Sequence, residues 1–193
     1  MTLDKFRPLA ERMLRPFVSA ADTVGLSPNG VSVLSLGVAG AAAAAFVTGE
    51  PQWYAVGGLL VLLNGWLDLV DGALARRQGI ASDGGDLLDH VIDRYADLII
   101  IGGLAAGVDS FALGFLAVTG VLMTSYLGTQ IQAVGLGRAD RLVLITIAGL
   151  VAAVVTGPVV AGYGVIEILL VFFAAIGHLT ALQRFWGAWS DLE

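Results

Sequence analysis

Four aspartates at helical spacing, Asp68 with Asp71 and Asp89 with Asp93, are the groups in this chain best placed to do chemistry. On a helix turning by about 100° per residue, Asp68, Asp71, Gly72 and Ala75 share one face. Asp89 and Asp93 are four apart on one face of a second segment, and Asp86 and Asp97 extend that stripe by a turn in each direction. The spacing predicts two helices joined by a short turn, Gln78 to Gly84, that aims two pairs of carboxylates at each other. Carboxylates at close range repel unless a cation lies between them, and hard oxygen donors suit Mg²⁺, Mn²⁺ or Ca²⁺. A divalent-metal site at the mouth of a helical bundle is the expectation.

The elements that must position these groups are apolar. Of 193 residues, 57% are hydrophobic and only 13% charged, about half the charged share of an ordinary soluble domain, which implies an integral membrane protein. The absence of cysteine removes thiol nucleophiles and disulfides, and the net charge of −6 argues against nucleic acid as a partner. No cleavable signal peptide is expected, because residues 1–26 are amphipathic rather than continuously apolar. Leu3, Phe6, Leu9, Met13, Phe17, Ala21 and Val24 fall on one side, with Lys5, Arg7, Glu11, Arg12, Arg15 and Asp22 on the other. This pattern predicts a helix lying in the membrane interface and bent at Pro16; a helix packed on the end of the bundle is the alternative.

Residues 27–193 then read as a six-helix transmembrane domain, each helix needing about 20 apolar residues to cross. The first spanning helix begins at the cap Ser27-Pro28 and covers 30–48. The others run over about 53–77, 86–107, 111–134, 141–156 and 165–186. Charge placement fits this count. Arg76, Arg77, Arg94, Arg138, Arg141 and Arg184 all lie near the turns after the second and fourth spanning helices or at the end of the sixth. The opposite turns, around Glu50, Asp109 and Gly157 to Gly164, contain no Lys or Arg. The positive-inside rule puts both termini and the aspartates on the cytoplasmic side. Trp53, Tyr54, Phe111 and Tyr163 would form an outer aromatic belt, and Trp186 and Trp189 an inner one.

Charges within spanning helices are costly and mark function. Pairing of the aspartates with Arg76, Arg77 and Arg94 as glue between helices is disfavoured, because three arginines cannot neutralise four or five clustered carboxylates. A cation channel or transporter explains the acids but not Gly72, Ala75 and Gly85, small residues that let a bulky ligand approach the backbone. His90 and His178 read as hydrogen-bonded neutral histidines, and Glu167 lies near the outer interface.

The run Asp68-x2-Asp71-Gly72-x2-Ala75-Arg76-x8-Gly85-x3-Asp89-x3-Asp93 resembles the signature of the CDP-alcohol phosphotransferase family, with all eight fixed positions matched. The resemblance implies transfer of a phosphatidyl group, or its archaeal ether equivalent, from a CDP-linked lipid to the hydroxyl of a polar alcohol, with release of CMP in phospholipid biosynthesis. It implies that Asp68, Asp71, Asp89 and Asp93 hold Mg²⁺ or Mn²⁺, two ions per site, and that Asp93 is the general base. Gly72, Ala75, Arg76 and Gly85 would surround the nucleotide. Pro28-Asn29-x-x-Ser32 resembles a further family element there. Family members are commonly homodimers, and Gly102, Gly103 and Gly107 offer either a dimer contact or close packing within one bundle.

For the acceptor, Arg138, Arg141 and Arg184 suit a phosphate, with topology anchoring as the alternative. Leu136-Gly137-Arg138-Ala139-Asp140-Arg141-Leu142 resembles the segment of members that make inositol-phosphate lipids. Those members carry Ser-Tyr-x-Arg-x-Arg a little earlier, whereas here Ser125-Tyr126 is followed by Leu127-Gly128-Thr129-Gln130. Inositol phosphate and glycerol phosphate are therefore both expected acceptors, with serine and other polar alcohols open. The rival readings are a transporter and a Mg²⁺-dependent prenyltransferase, whose aspartate motifs are spaced differently and which uses more spanning helices.

Overall fold

A computed structural model describes residues 7–130 and 137–192, and within them the chain is all-helical. In order, the helices are α1 (Arg7–Thr23), α2 (Pro28–Val47), α3 (Pro51–Gln78), α4 (Asp83–Gly107), α5 (Phe111–Gln130), α6 (Arg138–Ala152) and α7 (Val165–Leu192). The expected residues Leu3, Lys5 and Phe6 of the first helix, and the end of the fourth spanning helix at Val134, lie outside the described residues.

Among the described residues, four helical segments are long and apolar enough to cross a membrane: Pro28–Val47, Pro51–Gln78, Phe111–Gly128 and Val165–Ser190. This makes the chain a membrane protein. Two of the six expected spanning helices fall outside this set: α4 carries Asp83, Asp86, Asp89, Asp93, Arg94 and Asp97 within its first fifteen residues, and α6 is only 15 residues long.

The core lies among α2, α3, α4, α5, α6 and α7. Phe46, Val61, Ile100, Leu104, Ile145, Leu170 and Phe173 are among its most enclosed members. Small residues let the backbones come together there. A Cβ on Gly103 would stand 2.7 Å from the backbone of Ala43, and one on Gly149 would stand 2.6 Å from the carbonyl of Tyr54. Gly103 and Gly107 thus serve packing within one bundle, whereas a Cβ on Gly102 would meet nothing.

The helix ends obey local chemistry. Ser27 caps α2 by accepting from the Gly30 N–H at 3.1 Å, with Pro28 in the first turn. Gly79 ends α3 in the left-handed conformation, φ 66°. Ser82 caps α4 by accepting from Gly85 N–H at 3.2 Å. The predicted turn of 78–84 is therefore shorter, since Ser82 together with Asp83 and Asp86 in the first turn starts α4 three residues earlier than expected.

α1 packs on α3 through Leu14, Val18 and Ala21 against Val70 and Leu74, and Phe17 meets Trp66 edge-on with ring centroids 5.3 Å apart. Arg77 Nε donates to Asp22 Oδ2 at 3.0 Å, and Gln78 Nε2 donates to Asp22 Oδ1 at 3.0 Å. Met13, Phe17 and Val24 of the predicted apolar stripe remain exposed, on a face adjoining the packed one. The helix therefore both packs on the bundle and presents apolar side chains outward.

Candidate active site

The last two turns of α3 and the first three of α4 converge where α2 begins. Their meeting encloses a cleft of about 280 Å³ lined by Asn29, Ser32, Asp71, Gly72, Ala75, Arg76, Gly85, Asp86 and Asp89, among others. All six residues expected around a nucleotide are therefore brought to one cavity, together with two of the aspartates. The glycines here differ from those of the core. A Cβ on Gly72 would reach only the tip of Arg76, at 3.4 Å, and one on Gly85 would make ordinary contacts with Ser82 and Asn29, at 3.5 and 3.8 Å. Packing does not require glycine at either position, so their smallness keeps the cleft open.

Asp68, Asp89 and Asp93 each contribute a carboxylate oxygen to a group lying within 4.8 Å of one another, all three side chains half-buried. Asp89 Oδ1 is buried with no hydrogen-bond partner among the described residues. Hard oxygens from two helices, one of them lacking a proton donor, fit a divalent cation of the Mg²⁺ or Mn²⁺ type. Asp71 stands apart from this trio. It is buried and accepts from the Ser32 hydroxyl at 2.7 Å, which ties the start of α2 to the carboxylate wall of the cleft.

The arginines sort differently from expectation. Arg94 Nη2 lies 3.5 Å from Asp93 Oδ2, Arg77 pairs with Asp22, and Arg76 lines the cleft. The arginine that spans two members of the trio is Arg138, from the start of α6, with Nη1 2.6 Å from Asp68 Oδ1 and 2.8 Å from Asp93 Oδ1. Arg141, one turn on, donates to Asp97 Oδ2 at 2.6 Å in a pair that is almost wholly buried, and its Nη2 lies 3.5 Å from Ser125 Oγ. Arg184 donates to the carbonyl of Thr124, the neighbouring residue of α5. Arg141 and Arg184 thus converge on Thr124 and Ser125, while Arg138 turns toward the aspartates. On the same side, His90, Arg94, Leu122, Ser125 and Tyr126 line a second cavity of about 290 Å³.

Two contributors escaped the sequence reading. Asn64 is fully buried and holds Arg138 from behind, accepting from its Nη2 at 3.2 Å. A lone amide four residues before Asp68, in an otherwise apolar run, was the signal for it. Asp97 was read as an extension of the acidic stripe, and its pairing with Arg141 is a contact between distant segments that no local pattern announces.

Residues 25–190 match the model of the CDP-alcohol phosphatidyltransferase family, so the chain belongs to that family. It is a membrane transferase of phospholipid biosynthesis that passes a phosphatidyl-type group from a CDP-linked lipid to an alcohol and releases CMP. Among its relatives, archaetidylinositol phosphate synthase of Methanothermobacter thermautotrophicus is 31% identical over 99% of this chain and 96% of its own length. Phosphatidylinositol phosphate synthase of Streptomyces avermitilis is 34% identical over 94% of this chain and 80% of its own. The fold matches the crystal structure of Mycobacterium tuberculosis phosphatidylinositol phosphate synthase with CDP-DAG bound, at a TM-score of 0.78 and 22% identity over 92% of this chain and 94% of that one. The same enzyme in complex with manganese and citrate also gives 0.78, at 21% identity over 91% and 88%.

Proposed function

We propose that the chain makes an inositol-phosphate lipid, with a CDP-linked lipid as donor and inositol phosphate as acceptor. The observation that carries this reading is the single cleft shared by Asn29, Ser32, Gly72, Ala75, Arg76 and Gly85, opening onto Asp71 and Asp89 with the carboxylates of Asp68 and Asp93 beside it. Gly72, Ala75 and Gly85 leave room for cytidine and ribose, and Arg76 meets phosphate. Asp68, Asp71, Asp89 and Asp93 hold Mg²⁺ or Mn²⁺, two ions on this reading, with Asp71 oriented by Ser32. When bound, the metal neutralises the diphosphate charge and stabilises the departing CMP. Asp93 takes the proton from the acceptor hydroxyl as its oxygen attacks the β-phosphorus, and the bond to CMP breaks.

Arg141 and Arg184, converging near Ser125, receive the acceptor's phosphate, with Arg138 at the boundary between acceptor and carboxylates. The names of the archaeal and Streptomyces relatives support inositol phosphate over glycerol phosphate. The wider reading places six crossings, α2 to α7, within residues 27–193, with residues 1–26 in the interface and the site and both termini cytoplasmic. The exposed Met13, Phe17 and Val24 support the interfacial part. The functional unit is read as a homodimer, for which Gly102 is left free by its own bundle.

The test is CMP release by purified protein in detergent, given a CDP-lipid, Mg²⁺ or Mn²⁺ and one acceptor at a time from inositol phosphate, glycerol phosphate, serine and inositol. Metal-dependent release with inositol phosphate, lost in Asp93→Asn, is expected. Release with a different acceptor alone sinks the acceptor assignment. Silence with all four from folded protein, together with ion flux, moves the reading to a transporter.

A further inference from the structure

Asp68 and Asp93 already have a cation between them, and it comes from a helix that carries neither. Arg138 Nη1 lies 2.6 Å from Asp68 Oδ1 and 2.8 Å from Asp93 Oδ1, bridging α3 and α4 from the start of α6. Its side chain is 11% exposed and that of Asp93 14%, so water screens this contact weakly. The guanidinium is also held from the far side. Its Nη2 donates to Asn64 Oδ1 at 3.2 Å, and Asn64 Nδ2 donates to the Ser35 carbonyl of α2 at 2.9 Å. Asn64 has no exposed surface, so this relay of hydrogen bonds is fixed within the bundle. Arg138 is thus pinned by a buried amide against two of the three carboxylates suited to a metal.

A guanidinium and a divalent cation make opposing demands on that trio. Both are drawn to the same carboxylates, and the two positive groups repel one another strongly at such range in a poorly screened site. We propose that Arg138 is a resident counter-cation, held in register by Asn64, which a divalent metal must displace from Asp68 and Asp93. Arg138 is then a positioning residue. It offsets the mutual repulsion of Asp68, Asp89 and Asp93 and keeps them assembled, at the cost of weaker metal binding than the same carboxylates would show without it. The inference rests on the reading of Asp68, Asp89 and Asp93 as metal ligands. An arginine that merely supported those ligands from outside would have the opposite effect, since its loss would loosen the carboxylates and weaken the metal.

The sign of one affinity change decides the matter. Mn²⁺ binding to the purified full chain in detergent is measured by the paramagnetic resonance of the free ion, for wild type, R138Q, R138K and D89N. R138Q is expected to bind Mn²⁺ roughly tenfold more tightly than wild type, because the competing charge is gone. Mn²⁺ should also raise the melting temperature of R138Q by more than it raises that of wild type. R138K should fall between them, since an ammonium cannot span Asn64 and both carboxylates as the planar fork does. If R138Q does not purify as folded protein, the ordering of R138K against wild type decides alone. Equal or weaker Mn²⁺ binding in the arginine variants, with wild-type binding lost in D89N, overturns the proposal and leaves the metal reading standing. Wild-type Mn²⁺ binding that ignores Asp89 removes the metal reading and the proposal together.

Discussion

The two ends of the helical bundle use the same residue, glycine, for opposite purposes. Toward the end where α2 runs into α3, Gly103 meets the backbone of Ala43, Gly107 the carbonyl of Phe46, and Gly149 the carbonyl of Tyr54; a methyl group at any of them collides with main chain that cannot yield. At the other end, Gly72 and Gly85 face space rather than backbone, and the nearest atoms are side-chain tips. One end spends its small residues on van der Waals contact, in a setting where lipid gives helices little hydrophobic reason to associate. The other keeps an enclosed volume beside a group of carboxylates. Stability and chemistry are thus separated along the length of α3 and α4, so they can be disturbed independently.

The largest effect should come from the carboxylates. Asp89→Asn should lower the rate of CMP release by about a thousandfold or more, as expected when a metal ligand is lost, while the detergent-solubilised protein melts at or near the wild-type temperature. Gly103→Ala should do the reverse. It is expected to cost about 1–3 kcal/mol of stability, read as a lower melting temperature, because the added methyl has only main chain to push against. A Gly103→Ala protein as stable as wild type would erase the contrast between the ends. Gly85→Leu should raise KM for the CDP-lipid by roughly tenfold through lost space in the cleft, with kcat much less affected. A milder probe is Ser32→Ala, which removes the hydroxyl donated to Asp71; a fall in activity of about threefold to tenfold is expected, in line with the net contribution of one typical intramolecular hydrogen bond. Smallest of all, Asp22→Ala breaks an ion pair at the surface and should change the melting temperature by the equivalent of less than about 1 kcal/mol.

The sequence carried the local grouping of the candidate site residues more fully than the arrangement of distant segments. Asp68, Asp71, Gly72, Ala75, Arg76, Gly85 and Asp89 were legible because helical periodicity converts spacing directly into a shared face, and the motif lies within two consecutive helices. The helices were legible for the same reason, their apolar runs being long and the cap at Ser27 being of standard type; the cap at Ser82 was not legible within a turn rich in Gly and Ser, so α4 starts earlier than the spacing predicts. What spacing could not supply was the arrangement of distant segments. Arg138 and Asp68 are brought together by the packing of α6 on α3, and nothing near either residue specifies the other. The same holds for Arg141 with Asp97. The number of crossings is ambiguous from sequence because α4 mixes a charged half with an apolar one, and composition alone cannot say how far such a helix enters the bilayer.

One last consequence follows from the way α1 is fastened. Its Phe17 lies against Trp66, two residues before Asp68, and its Asp22 grips Arg77 and Gln78, just past Arg76. If α1 lies in the membrane interface as proposed, with its outward apolar side chains at the edge of the acyl chains, it would act as a float of fixed draught, and the cleft would ride at the depth the float dictates. A lipid that carries its diphosphate at the headgroup level would then meet the aspartates by sliding sideways within its own leaflet, with no need to be lifted from the bilayer. Changing the buoyancy of α1, by making Met13 or Val24 polar, would shift the waterline of the whole catalytic end without touching any residue in it.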